Sequence, residues 1–206
     1  MQRYKVLLCG AVKKIIGGSI LQNINQVSDF ECQTKPLPQM VNIPNTLYKS
    51  MQGKYFIGQS QTLLAGNGSN TWAALINPYD SHRNLFFNVF TVSNFSSDIL
   101  TAELWLNTNP PDNPATSVSV SPADTTIKPK PENKARLRYV QATEGFPSGG
   151  VNIFDRIVPP KSTLASEEDG KIIVPPGGNV LLFIKAPSKE ITNSIVAFGW
   201  WEAHEK

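Results

Sequence analysis

The chain has 206 residues, a formal net charge of +3 and a charged fraction of 17%. This length suits one domain, and an all-β domain can use all of it. The charge is too small, and Lys and Arg are too dispersed, to indicate a nucleic-acid-binding protein. Every apolar run is shorter than the roughly 18 residues that span a bilayer, so we expect no transmembrane segment. The 16 prolines and 14 glycines leave little room for long helices.

Residues 1–50 are predicted to form an N-terminal arm and a proline-rich linker ahead of a domain at 51–206. The segment 3–16 is apolar and basic, and part of it alternates as a strand does. It lacks a small-residue cleavage site before its lysines, so we do not expect a cleaved signal peptide. An apolar arm ahead of a complete domain must bury its side chains, either on its own domain or on another copy. The arm residues that we expect to dock are Tyr4, Val6, Leu8 and Val12.

Both cysteines of the chain, Cys9 and Cys32, lie in the arm. They are either two free buried thiols or a cross-link, formed within the arm or between copies. Residues 33–46 contain three prolines and are predicted to be stiff and extended. A short helix is predicted at 46–51.

From residue 54 onward, short apolar stretches with alternating polarity are separated by turn residues, which is typical of strands. Units in which strands alternate with helices are absent, so a parallel α/β fold is not expected. The pattern predicts an antiparallel two-sheet β-sandwich of jelly-roll type with an N-terminal extension. Residues 144–169 are predicted to be a long loop. The nine predicted strands are 54–65, 71–77, 84–93, 100–108, 116–120, 134–141, 171–174, 179–185 and 193–202.

Residue types that carry chemistry are sparse. The two histidines, His82 and His204, have no His or Cys partner at metal-ligand spacing, so we expect neither a metal nor another cofactor. A nucleophilic triad would depend on His82 alone. The acidic run 167–169 is better explained as a solvated turn than as a calcium site. We therefore expect that the protein is not an enzyme.

Three tryptophans are candidates for an interface or a ligand site. Trp105 falls on the outward register of its strand, and Trp200 and Trp201 are adjacent, so they face opposite sides of a strand. An outward tryptophan can stack on a sugar or anchor a subunit interface. It can also be covered by the arm or by a loop, and the sequence leaves these alternatives open.

The second half of the chain is rich in motifs of turn and strand residues. These motifs resemble an uncharacterised family of small β proteins that is associated with spore-forming Gram-positive bacteria, over most of residues 45–203. The family has no established activity, so the resemblance implies no catalytic residue. The resemblance rests on the motifs 149–154 (GGVNIF), Arg156, 159–160 (PP), 162–164 (STL), 169–171 (DGK), 175–178 (PPGG) and 198–201 (FGWW).

Two functions are compatible with these observations. The first is a structural subunit that self-assembles into a filament or surface layer, because its N-terminal arm adds a strand to another copy. This architecture is similar to bacterial surface fibres and endospore appendages. We then expect a homo-oligomer at the cell or spore surface. The alternative is a non-catalytic module that binds a glycan or another surface, with the arm folded back, at that surface or in the cytoplasm.

Overall fold

The computed structural model describes residues 40–186 and 189–204. The predicted arm therefore lies outside the described residues, together with Tyr4, Val6, Leu8, Val12, Cys9 and Cys32. Asn42–Lys206 forms one compact unit. It begins with a short helix, α1 (Asn45–Met51), which confirms the helix predicted at 46–51.

The rest of the described chain is almost entirely strand. It also contains one turn of 3-10 helix at Tyr79–Ser81. The strands are β1 (Tyr55–Gln59), β2 (Leu63–Ala65), β3 (Asn70–Ile76), β4 (Arg83–Asn94), β5 (Leu100–Leu106), β6 (Ala115–Thr116), β7 (Val120–Pro122), β8 (Arg136–Thr143), β9 (Val151–Val158), β10 (Ser162–Val174), β11 (Asn179–Lys185) and β12 (Thr192–His204).

The strands form two antiparallel sheets. The first has the order β10-β4-β12-β1-β7, with β2 also paired to β12, and the second has the order β6-β8-β3-β11-β5-β9. Most connections cross from one sheet to the other, for example from β4 to β5 and from β11 to β12. The predicted antiparallel two-sheet sandwich is therefore confirmed, and its jelly-roll type stays a prediction.

The main core lies between the sheets and follows the period of two that strands impose. Leu100, Ala102 and Leu104 are buried on the inner face of β5, as their alternation predicts. β11 is apolar on both faces because both are covered. Its inner residues join the main core, and its outer residues Leu181 and Phe183 join a second cluster on the outer face of the second sheet.

The loop predicted at 144–169 is wrong, because most of it forms β9 and the first part of β10. Both strands lie at sheet edges, and most of their residues are exposed or half-buried, so polar and charged residues interrupt their apolar positions. The strand predicted at 116–120 is also wrong. Its two ends belong to different sheets, as β6 and β7. The strand predicted at 54–65 is divided into β1 and β2, which both pair with β12.

Buried asparagine side chains tie the loops to the sheets. The Asn94 amide nitrogen donates to the carbonyl oxygens of Asp98 (2.7 Å) and Pro159 (3.1 Å), and its oxygen accepts from the Ser96 amide (2.9 Å). This side chain joins the turn after β4 to the turn before β10. Buried polar groups need such partners. In this chain of low charge content, some of the uncharged polar residues therefore have a structural role.

Candidate binding surfaces

An apolar groove of about 520 Å³ lies on the outer face of the first sheet. Ala197 and Gly199 of β12 are among its lining residues. Ile57 of β1 is 49% exposed, and Val118 in the wall is 89% exposed. The volume is in the usual range for ligand pockets, which are mostly apolar. The groove is therefore a candidate site for an apolar group.

A stack of three aromatic rings lies on the same outer face, and it is closed. The Trp201 ring stacks on Phe86 (centroids 5.2 Å apart, planes at 6°) and on Tyr55 (6.5 Å, 25°). Gly170 of β10 lies over the indole at φ +70°, where a Cβ would overlap the ring. Trp201 is consequently only 4% exposed. Burial raises the pKa of the Tyr55 hydroxyl, which accepts a hydrogen bond from the Asn88 amide nitrogen at 2.9 Å.

The other two candidate tryptophans occupy different environments. Trp200 is fully buried in the main core, opposite Trp201. Trp105 is half-buried on the outer face of the second sheet, and its Nε1 donates to Glu103 Oε2 at 3.0 Å. Glu103, which the sequence places on the outward face, is on that face but is covered, and it forms an ion pair with Lys185. Trp105 is therefore the one of the three that keeps substantial exposed surface.

Two loops cover much of the outer face of the second sheet. Trp72 Nε1 donates to the Pro111 carbonyl oxygen at 3.0 Å, so the loop after β5 lies over β3. The Phe146 ring, in the loop after β8, packs on Phe183 with the centroids 5.7 Å apart. The second apolar cluster is thus covered by loops of the same domain at these two points.

A polar cleft of about 480 Å³ opens where β6, β7 and the start of β8 meet the turn after β3. Asp80, Thr116, Lys134 and Arg136 are among its lining residues. Tyr79 stands next to the cleft and is 85% exposed. These residues were not predicted, because their contact depends on the pairing of β3 with β8. In the sequence, the sign of this cleft is limited to two cations, Lys134 and Arg136, which lie two positions apart in the strand predicted at 134–141.

Two long strands leave one edge unpaired within the described residues. β9 pairs only with β5, and β10 pairs only with β4, whereas the opposite ends of the two sheets carry the very short β6 and β7. The inner face of β9 carries Arg156, whose guanidinium lies 4.3 Å from the centroid of the Phe154 ring. β10 exposes Glu167 and Asp169. One side of the sandwich therefore ends in two very short strands. The other side ends in two long edge strands that carry charged residues.

Groups suited to metal chemistry do not come together in the described residues. No cluster of three or more His, Cys, Asp or Glu residues occurs there. His82 occupies an exposed left-handed turn position at φ 50°, and His204 ends β12. None of the helices in the described ranges is long and apolar enough to cross a membrane.

The fold and these surfaces define an all-β, two-sheet sandwich protein with a groove, a cleft and two long edge strands that are unpaired on one side within the described residues. The model of a family of unknown function (DUF6143) matches residues 28–206, and the chain belongs to this family. The family description assigns no activity, and nothing in the match points to spore formers or fibre subunits. No curated protein and no solved structure matches the chain in two further comparisons.

Proposed function

We propose that this protein is a structural subunit that assembles with copies of itself by strand addition. In this proposal, the N-terminal arm of one copy pairs with a free strand edge of the next. The observation that carries the proposal is the pair of long edges, β9 with eight residues and β10 with 13. Unpaired edges of this length are templates for an added strand. A head-to-tail contact that does not close into a ring gives a filament.

The charges of the arm and of β10 are complementary. In the arm, Arg3 and Lys5 alternate with the apolar residues Tyr4 and Val6. An added strand that turns its apolar face toward the sandwich therefore turns its cations toward the outer face. On β10 that face carries Glu167, while the half-buried Leu164 and Ile172 pack against the core on the inner side. Opposite charges on neighbouring strands stabilise a pairing modestly and help to set its register.

The helix α1 supports contact with another part of the assembly. It has seven residues and no buried side chain, and Leu47, Tyr48 and Met51 are each about half exposed or more. A helix this short is marginal in water, and most helical stability in proteins comes from packing of an apolar face. Contact with a neighbouring copy buries this face. We also propose that assembly takes place at the surface of a cell or spore. Fractionation that separates surface material from the cell interior tests this location.

Sedimentation velocity of the full-length chain at increasing concentration tests the proposal. We expect oligomers whose size grows with concentration, and a folded monomer after deletion of residues 1–18. Glu167→Lys should weaken assembly, and Lys5→Glu in the same chain should restore part of it. Glu144→Lys, an exposed position in the loop after β8, is the matched control and should assemble normally. A truncated chain that assembles like the full-length protein would refute the proposal.

A second candidate function is a non-catalytic module that binds a glycan or another surface, with the arm folded back on its own domain. Trp105 supports it, because this ring keeps exposed surface beside the Glu103–Lys185 ion pair. Aromatic rings flanked by polar groups are suited to stacking on sugars. Glycan-array binding that disappears in Trp105→Ala would support this function, and an array without signals would count against it.

A further inference from the structure

We propose that the polar cleft beside β8 binds a saccharide that carries a carboxylate, such as a uronic acid unit. The cleft has a volume of about 480 Å³, and most of its lining is polar. The inference rests on the cleft residues and on Tyr79 next to them. It depends neither on the arm nor on Trp105.

Tyr79 offers an exposed aromatic ring next to the cleft. Its ring lies close to Gly177, where a Cβ would overlap the ring atoms. The residue is 85% exposed, and its neighbours Pro78 and Asp80 line the cleft. An exposed ring beside polar groups is suited to stacking on a sugar ring.

Two cations define the charge that the ligand should carry. Lys134 and Arg136 both line the cleft, and neither side chain forms an ion pair with another of the described residues. The backbone at Lys134 is fixed, because its amide donates to Glu202 Oε2 at 2.9 Å. The planar guanidinium of Arg136 can bind both oxygens of a carboxylate.

The remaining lining groups favour a saccharide over a polyphosphate. Asp80 places a carboxylate in the cleft, which accepts hydrogen bonds from the hydroxyl groups that a saccharide carries on every unit. Thr116 and Asn133 add neutral polar groups that suit hydroxyl ligands. The chain has a net charge of only +3, without the dense basic surface that nucleic acids need. A polyol with one acidic group per unit matches this mixture.

Isothermal titration calorimetry of the full-length chain against oligogalacturonates and oligoglucuronates tests the inference. Neutral galacto- and gluco-oligosaccharides are the matched probes without a carboxylate. We expect binding of at least one oligouronate, and binding at least about tenfold weaker for its neutral counterpart. Arg136→Gln and Tyr79→Ala should each weaken oligouronate binding by about tenfold, which corresponds to about 1.4 kcal/mol.

Lys171→Gln is the control for charge, because Lys171 is an exposed cation on β10, at the other edge of the sandwich. It should leave the affinity unchanged. Near-UV circular dichroism should show that each variant is folded. The inference is overturned if no oligouronate binds, or if polyglutamate binds equally well and Tyr79→Ala has no effect. The last result would mean that charge alone is responsible.

Discussion

Glu202 on β12 provides a quantitative test of how the two sheets are joined. Its side chain is 2% exposed, and one oxygen accepts hydrogen bonds from the amide of Ala135 (2.9 Å) and from Trp200 Nε1 (3.2 Å). The other oxygen accepts from the Lys134 amide (2.9 Å) and from Arg83 Nη1 (3.3 Å). A strand of the first sheet is thereby tied to the segment that leads into β8 of the second sheet.

The substitution Glu202→Gln keeps the volume but removes the charge and one acceptor oxygen. The new amide NH₂ must then face either the Lys134 amide and Arg83 or the Ala135 amide and Trp200, which are all donors. A hydrogen bond to a charged group contributes about 1.5–3 kcal/mol, and an unsatisfied buried donor costs about 1–3 kcal/mol. Arg83 is partly exposed, so its contribution is at the low end. We expect a loss of about 2–4 kcal/mol in the free energy of unfolding.

Urea unfolding measures this loss. With a slope of about 2–3 kcal/mol per molar urea, the midpoint should fall by about 0.7–2 M while the slope stays constant. Glu144→Gln removes an equal charge from an exposed position and should change stability by less than about 0.5 kcal/mol. A loss below about 1 kcal/mol for Glu202→Gln would show that the four donors find other partners, and the reasoning would be wrong.

Three further predictions concern the surfaces and the turns. Gly170→Ala should destabilise the protein by about 2–4 kcal/mol in urea unfolding, because the residue has a positive φ and its new methyl group would overlap the Trp201 ring. Asn94→Ala should lower the free energy of unfolding by about 2–4 kcal/mol, because the carbonyl groups of Asp98, Val158 and Pro159 and the amide and hydroxyl groups of Ser96 lose a partner; thermal unfolding will measure it. The raised pKa of Tyr55 means that the unfolded chain, with a pKa near 10.0, loses its phenolic proton first as pH rises. Stability should therefore fall as the pH rises above about 10, and Tyr55→Phe should remove that part of the fall; urea unfolding at about pH 8 and at about pH 10.5 measures the difference.

Strands that bury one full face, or both faces, are predicted well from the sequence. In β5 the alternation of Leu100, Ala102 and Leu104 identifies the strand and its inner face. β10 was missed over most of its length because it is an edge strand. Glu167 and Asp169 of β10 are exposed. The bulge between Glu167 and Ile172 contains Gly170, which lies on the Trp201 ring. A local pattern cannot distinguish such a strand from a polar loop.

The candidate sites depend on contacts between distant parts of the chain. Tyr79 and Arg136 are 57 positions apart in the sequence, and the pairing of β3 with β8 brings their segments to one cleft. Trp201 shows the reverse case, since the sequence predicts that Trp200 and Trp201 face opposite sides of their strand, and Trp201 is the one on the outer face. The covering of that face by Gly170 follows from a bulge that the sequence does not indicate.

The asymmetry of the sandwich separates the two proposed activities. Strand addition would use the edges of β9 and β10, whereas the polar cleft lies at the side that carries β6 and β7. A copy that accepts an arm on β10 would thus keep its cleft open. Glu167→Lys should therefore impair assembly without changing oligouronate affinity, and Arg136→Gln should do the opposite. If either substitution impairs both activities, the two sites are not independent, and the placement of the acceptor edge on β10 must be abandoned.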